Sequence, residues 1–175
     1  MRKTIIAVDP GTRYWGVTVF READIIVSLV KVLSTKGSPR KRLNEVKNVF
    51  SSLIKNYAPD VLVLEKPFLF WSKQSHLLNV LIEEIKSLAR KEKMRVYEFS
   101  PRPVRKAICG NGNASKKDMA MVVSTIYPEL KIRLNQDRRY KEIYWGHAFD
   151  SAGLGVCYLK TKQKTKWSVN YFSKN

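Results

Sequence analysis

Asp9, Glu65, His147 and Asp150 are the residues of this chain whose types and placement fit them to do chemistry together. Asp9 closes the apolar run Thr4–Val8 and Glu65 closes Val61–Leu64. Both are expected at the C-terminal ends of buried strands, the edge where open α/β sheets build their sites. His147 and Asp150 are spaced i, i+3 in a helical segment and share a face. Hard divalent cations take oxygen ligands, so carboxylates from two strand ends and a helix face suit Mg²⁺. Hydrolysis of a phosphodiester needs a deprotonated water, a stabilised pentacovalent centre and a stabilised leaving oxygen. Two such ions about 3.5–4 Å apart supply all three. Alone, each residue has an ordinary reading as a turn former, an exposed strand end, a surface histidine or a solvated helix acid. The combination is more specific than its parts.

The charge of the chain points the same way. It has 175 residues with 33 Lys and Arg against 15 Asp and Glu, a formal net charge of +18, and 44% hydrophobic residues. That apolar fraction supports a packed core rather than a disordered polycation. Small soluble domains need a net charge of only roughly 2–8. A polyanionic partner accounts for the excess, because each Lys or Arg set on a phosphate releases a counterion. Carboxylates repel phosphate unless cations lie between them, so acids within a basic chain read as a metal-dependent enzyme acting on nucleic acid. No apolar run approaches the ~20 residues that span a bilayer. The stretch from Met1 to Asp9 is too short and too soon acidic for a signal-peptide core. Cys109 and Cys157 lack CxxC spacing, which argues against a zinc site or a disulfide framework and fits a reducing, cytoplasmic, DNA-associated setting.

The elements that must position the four residues follow from periodicity and punctuation. Thr4–Val8 reads as a strand running into the turn Asp9-Pro-Gly-Thr12, with Gly11 supplying a positive φ. Strands at Trp15–Phe20 and Ile25–Leu33 complete an antiparallel meander. A helix over Arg40–Asn56 places Leu43, Val46, Phe50, Leu53 and Ile54 on one face. The strand Val61–Leu64, an aromatic loop Pro67–Trp71, a helix over Ser75–Lys91 and a strand at Arg95–Phe99 follow. Pro101–Cys109 is a short basic helix, Gly110–Asn113 a loop, and Ser115 the N-cap of a helix with Asp118 completing a capping box. Residues 129–144 read as a polar, flexible loop, and a last helix as running from about Gly146 to Lys160. The expected fold is α/β, a mixed β-sheet flanked by helices on both faces, with one domain over residues 1–162 and a basic tail over 163–175 whose composition permits disorder.

These stretches resemble the RuvC-type Holliday junction resolvases, which have the RNase H-like fold. The resemblance rests on Ile5–Thr12, Val61–Glu65, Ser100–Arg105, Gly110–Lys116 and His147–Ala152, in the family's order and near its spacing, from Ile5 to Tyr158. It implies a homodimer that nicks four-way junction DNA symmetrically with Mg²⁺ or Mn²⁺, two ions per site, alongside branch-migration machinery. Asp9, Glu65 and Asp150 carry over as metal-binding carboxylates. His147 falls where many members have Asp and some have His. It can serve as a metal ligand, more readily for Mn²⁺, or as proton acceptor. Phe68 matches an aromatic that stacks on a base near the crossover, worth roughly 1–3 kcal/mol; Phe70 and Trp71 read as core or dimer contacts. Arg105 and Lys116 match phosphate-contacting positions, with Arg102 and Lys117 as neighbours. The chain differs from the family in Asn79–Lys86, where a glycine-containing run of a dimerisation helix is common, and in the basic stretch Arg138–Lys141.

Three other readings compete. Another RNase H-like nuclease would use the same metal chemistry on hybrid or linear substrates. An actin-like kinase or ATPase shares the Asp-Pro-Gly-Thr turn but needs a second domain and a second glycine-rich loop. A non-catalytic DNA-binding protein would not need Asp9, Glu65 and Asp150.

Overall fold

The structure, a computed structural model, describes residues 2–34, 38–66, 73–134 and 139–162. The described strands form one five-stranded sheet in the order β3-β2-β1-β4-β5. β1 (Thr4–Asp9) pairs antiparallel with β2 (Tyr14–Arg21), which pairs antiparallel with β3 (Asp24–Val32). β4 (Val61–Glu65) and β5 (Arg95–Phe99) add in parallel on the other side of β1. The mixed sheet is the one the sequence predicts.

The central strands are apolar on both faces because both faces are covered. Ile5 and Ala7 of β1 and Val61 and Val63 of β4 pack with α3 (Pro101–Cys109), α4 (Lys116–Ile126) and α6 (Arg139–Lys162). Ile6 and Val8 of β1 and Leu62 and Leu64 of β4 pack with α1 (Pro39–Tyr57) and α2 (Lys73–Lys91). Strand alternation thus divides the apolar residues between two helical layers. Lys86 of α2 is buried and pairs with Glu83 at 2.8 Å and Glu98 of β5 at 2.7 Å, tying that helix to the sheet edge.

Local chemistry sets the helix ends. Ser38 caps α1 with Pro39 in its first turn, and the helix stops at Ala58, whose φ is 44°. The capping box of α4 forms as expected: Ser115 Oγ accepts from the Asp118 N–H at 3.1 Å, and the Ser115 N–H donates to the Asp118 carboxylate at 2.9 Å.

Two expectations are corrected. Gly11 has no positive φ; among the described glycines Gly110 alone does. What Gly11 supplies is space, since a Cβ there would lie 2.6 Å from the Tyr14 carbonyl oxygen. Nor are the described residues of the segment expected as a loop, 129–134 and 139–144, loop. Pro128–Leu130 form a 3-10 turn, Lys131–Leu134 a short helix α5, and α6 begins at Arg139, seven residues before Gly146. Every residue of α6 from Ala148 to Leu159 is buried. A helix buried all round carries little amphipathic periodicity, so its start is not marked in the sequence. The tail over 163–175 lies outside the described residues. No helix of the described residues is long and apolar enough to cross a membrane.

Candidate active site

The β-ladder places the first two acids. β1 and β4 are adjacent and parallel, so Asp9 and Glu65 end neighbouring strands on the same edge. The turn after Asp9 is held by the Trp15 indole, whose N–H donates to the Gly11 carbonyl at 2.5 Å. α6 supplies the other two groups. It lies across the sheet close enough to β2 that a Cβ on Gly16 would overlap the His147 carbonyl oxygen. Gly16 is also the ladder partner of Asp9. One glycine therefore lets the helix backbone descend beside the strand that carries the first acid.

The result is a compact set. His147 Nδ1 lies 2.5 Å from Asp9 Oδ2. Ligand atoms of Asp9, His147 and Asp150 all lie within 4.8 Å of one another, and Asp9 and Asp150 are 6% and 5% exposed. In the neutral tautomer whose Nδ1–H donates to the Asp9 carboxylate, the Nε2 lone pair of the histidine is available. The Tyr14 ring lies 5.8 Å from the His147 ring, tilted by 35°.

Glu65 is outside that tight group but shares its field. Burial first, then the negative charges of Asp9 and Asp150, raise its carboxyl to a pKa of about 7, against the opposing pull of Lys116 and Arg105. Burial and Asp9 also raise Asp150, while Lys116 and His147 act to lower it. Lys116 Nζ lies 2.7 Å from Asp150 Oδ2. Burial works against the Lys116 charge, but Asp150, with Asp9 and Glu65 beyond it, outweighs that and raises its pKa. Glu65, Arg105, Lys116 and Asp150 line a cavity of about 40 Å³.

The donor set fits a divalent cation. Asp9, His147 and Asp150 bring their ligand atoms together with Glu65 beside them, and burial and neighbouring negative charge raise Glu65 and Asp150, which is the electrostatic situation a bound cation relieves. Asp9, Glu65, His147 and Asp150 are the residues that could hold it.

The structure separates the predicted DNA-binding residues. Arg105 and Lys116 border the acid pocket. Arg102 instead lines a wider groove of about 600 Å³ with Lys106 and the 110–113 loop. Lys117 is exposed on the first turn of α4. Phe68, Phe70 and Trp71 lie outside the described residues, as does Arg138. Sequence reasoning missed Gly16, Trp15 and the Thr18–Ser151 hydrogen bond, in which the two buried hydroxyls lie 2.8 Å apart and join β2 to α6. A lone glycine inside a strand pattern was the available signal for Gly16.

A profile of the family described as crossover junction endodeoxyribonuclease RuvC matches residues 5–138. The protein of that name from Pelodictyon phaeoclathratiforme is 30% identical over 125 residues, covering 69% of this chain and 65% of the relative. The one from Cytophaga hutchinsonii is 26% identical over 182 residues, covering 98% of this chain and 85% of the relative. Among solved structures, Thermus thermophilus RuvC superposes with a TM-score of 0.71 at 18% identity, covering 90% of this chain and 95% of that one. The same protein in complex with a Holliday junction substrate gives 0.72 at 16% identity, covering 91% and 96%. The yeast mitochondrial Holliday junction resolvase gives 0.68 at 16%, covering 89% and 77%. At these identities the structures speak for the fold, and the profile, which runs from β1 to the approach of α6, carries the assignment: the chain belongs to the crossover junction endodeoxyribonuclease RuvC family.

Proposed function

We propose that this chain resolves four-way DNA junctions, as a homodimer, by paired symmetric nicks through divalent-metal-dependent phosphodiester hydrolysis. The observation that carries the reading is the convergence of Asp9, Glu65, His147 and Asp150 at one sheet edge in a chain of net charge +18. Family membership supports the nuclease activity, and the junction-bound Thermus thermophilus relative supports the substrate.

Asp9, Glu65, His147 and Asp150 would hold Mg²⁺ or Mn²⁺, two ions per site. Bound there, such ions lower the pKa of water and neutralise charge on the reacting phosphate. The residues of the chain do the rest. Asp9 fixes the His147 ring through Nδ1 and keeps Nε2 free, either as a ligand or to take a proton from the attacking water. Arg105 and Lys116, at the rim of the acid pocket, hold phosphate oxygens next to the scissile bond. Arg102 and Lys117 extend that contact to flanking phosphates. Phe68 stacks on a base opened at the crossover. α2 leaves Val80 exposed at 41%, an apolar contribution to the dimer face. Branch-migration machinery delivers the junction.

Cleavage of a synthetic four-way junction in Mg²⁺ and in Mn²⁺ tests this, beside linear duplex, RNA–DNA hybrid and an Asp150→Asn control. Symmetric nicks on the junction, lost in Asp150→Asn, are expected. Cutting of hybrid or linear duplex in place of the junction would make the chain a sister nuclease. Tight junction binding with no cutting in either metal would refute the active-site reading.

A further inference from the structure

Lys116 matches a phosphate-binding position, yet its ammonium rests on an acid. Nζ is 2.7 Å from Asp150 Oδ2, in a pair where the lysine side chain is 66% exposed and the aspartate 6%. Asp150 is one of the three residues whose ligand atoms lie within 4.8 Å of one another. The lysine therefore neutralises a carboxylate that the preceding reading gives to a metal ion. An ammonium and a divalent cation on one carboxylate repel each other, so the two states compete. Lys116 is free to leave. It sits on the first turn of α4, whose capping box is made by Ser115 and Asp118 and does not use its side chain. Its exposed stem swings without disturbing the core.

We propose that Lys116 is a placeholder cation: it occupies Asp150 in the metal-free protein, yields that carboxylate when a divalent ion binds, and turns to a phosphate of the DNA. This rests on the metal site of the proposed function and adds to it a coupling. Metal affinity without DNA is weaker than the carboxylates alone would give. DNA, by offering the displaced ammonium a new partner, strengthens metal binding, and metal strengthens DNA binding by the same factor.

Calorimetric titration of Mn²⁺ into the full chain without DNA tests it, in the parent, Lys116→Met, Lys116→Arg, Lys117→Met and Asp150→Asn. Lys116→Met keeps the stem and removes the charge; circular dichroism checks that each variant is folded. Lys116→Met is expected to bind Mn²⁺ roughly two- to fivefold tighter, the scale of one partly exposed ion pair. Lys116→Arg stays near the parent, and Lys117→Met, which loses the same formal charge away from Asp150, changes by less than about twofold. Equal or weaker binding in Lys116→Met overturns the inference while the metal site stands. An equal gain in Lys117→Met also overturns it, since bulk charge would then be the cause. If neither the parent nor Lys116→Met shows saturable binding that Asp150→Asn removes, the metal site falls and the inference with it.

Discussion

Gly16→Ala is the substitution whose effect the structure determines most sharply. Gly16 sits on β2 directly across from Asp9, beneath the His147 backbone of α6. A methyl group there would overlap the His147 carbonyl oxygen and come within 3.1 Å of the His147 Cβ. The obstacle is backbone, so no rotamer change relieves it; either α6 lifts from the sheet or β2 bends. Overpacking of this kind costs about 1–3 kcal/mol, and a rigid backbone neighbour places it at about 3. The lift also carries His147 and Asp150 away from Asp9, where a misplacement of about 1 Å costs on the order of 100-fold in rate.

Gly146→Ala provides the opposite sign on the same helix. A Cβ on Gly146 meets nothing within 4 Å, and alanine within a helix is favoured over glycine by about 0.8–1.0 kcal/mol. Urea unfolding of both variants, with Mn²⁺ calorimetry and junction cleavage on the folded protein, reads the contrast. Gly16→Ala should lower stability by about 3 kcal/mol and weaken both Mn²⁺ binding and cleavage. Gly146→Ala should raise stability. A Gly16→Ala protein within about 0.5 kcal/mol of the parent, with Mn²⁺ affinity intact, would show that the helix–strand approach does not set the site.

Other consequences are smaller but as direct. Because the folded state raises Glu65 from 4.5 to about 7, the folded chain holds a proton that the unfolded chain releases, and metal-free stability falls as pH rises through that window. The loss over that window amounts to about 3 kcal/mol in total; Asp150, shifted the same way, adds to it. Urea midpoints between pH 4 and 8 in EDTA should decline in the parent and decline less in Glu65→Gln; identical profiles would sink the shared-field reading. Ser115→Ala removes the Oγ acceptor of the α4 capping box and should cost about 1 kcal/mol in denaturant unfolding. Arg105→Ala should reduce by about 1 the slope of log junction affinity against log salt, read by fluorescence anisotropy, and an unchanged slope would remove Arg105 from the phosphate contacts.

What the sequence made legible was whatever rests on local pattern. β5, α3 and the α4 capping box follow from short-range signals, and the strand ends at Asp9 and Glu65 from apolar runs closed by an acid. The meeting of Asp9 and Asp150 with His147, whose ligand atoms lie within 4.8 Å of one another with Glu65 outside that group, also emerged from strand-end and helix-face positions. The early start of α6 did not, because charged residues precede a segment buried all round and no apolar stripe runs through it. Nor did the Lys116–Asp150 pair, whose members are 34 residues apart on helices that meet only in the fold. The role of Gly11 was misread because a Pro-Gly pair usually announces a turn dihedral, whereas here the constraint is the nearby Tyr14 carbonyl.

Two kinds of residue therefore govern the site, and they should respond differently to change. The depth and register of α6 on the sheet are set by close packing: Gly16 under His147, Gly155 against the Phe20 ring, and the Thr18–Ser151 hydrogen bond one residue from Asp150. These contacts are buried and leave no slack, so altering them moves two candidate ligands at once. The cations around the pocket are different. Lys116 and Lys117 are exposed on the first turn of α4, and Arg105 is half-buried at the pocket it lines with Lys116. Changes at the packing contacts should lower metal binding and stability together, whereas changes at Lys117 should act on DNA with stability near the parent, and those at Lys116, whose loss leaves Asp150 without its ammonium, should lower metal-free stability while strengthening metal binding. A site held on a rigid scaffold with cations at its rim can exchange its counter-cation, ammonium for metal, while the displaced ammonium exchanges a carboxylate partner for a phosphate, without rebuilding its ligand geometry.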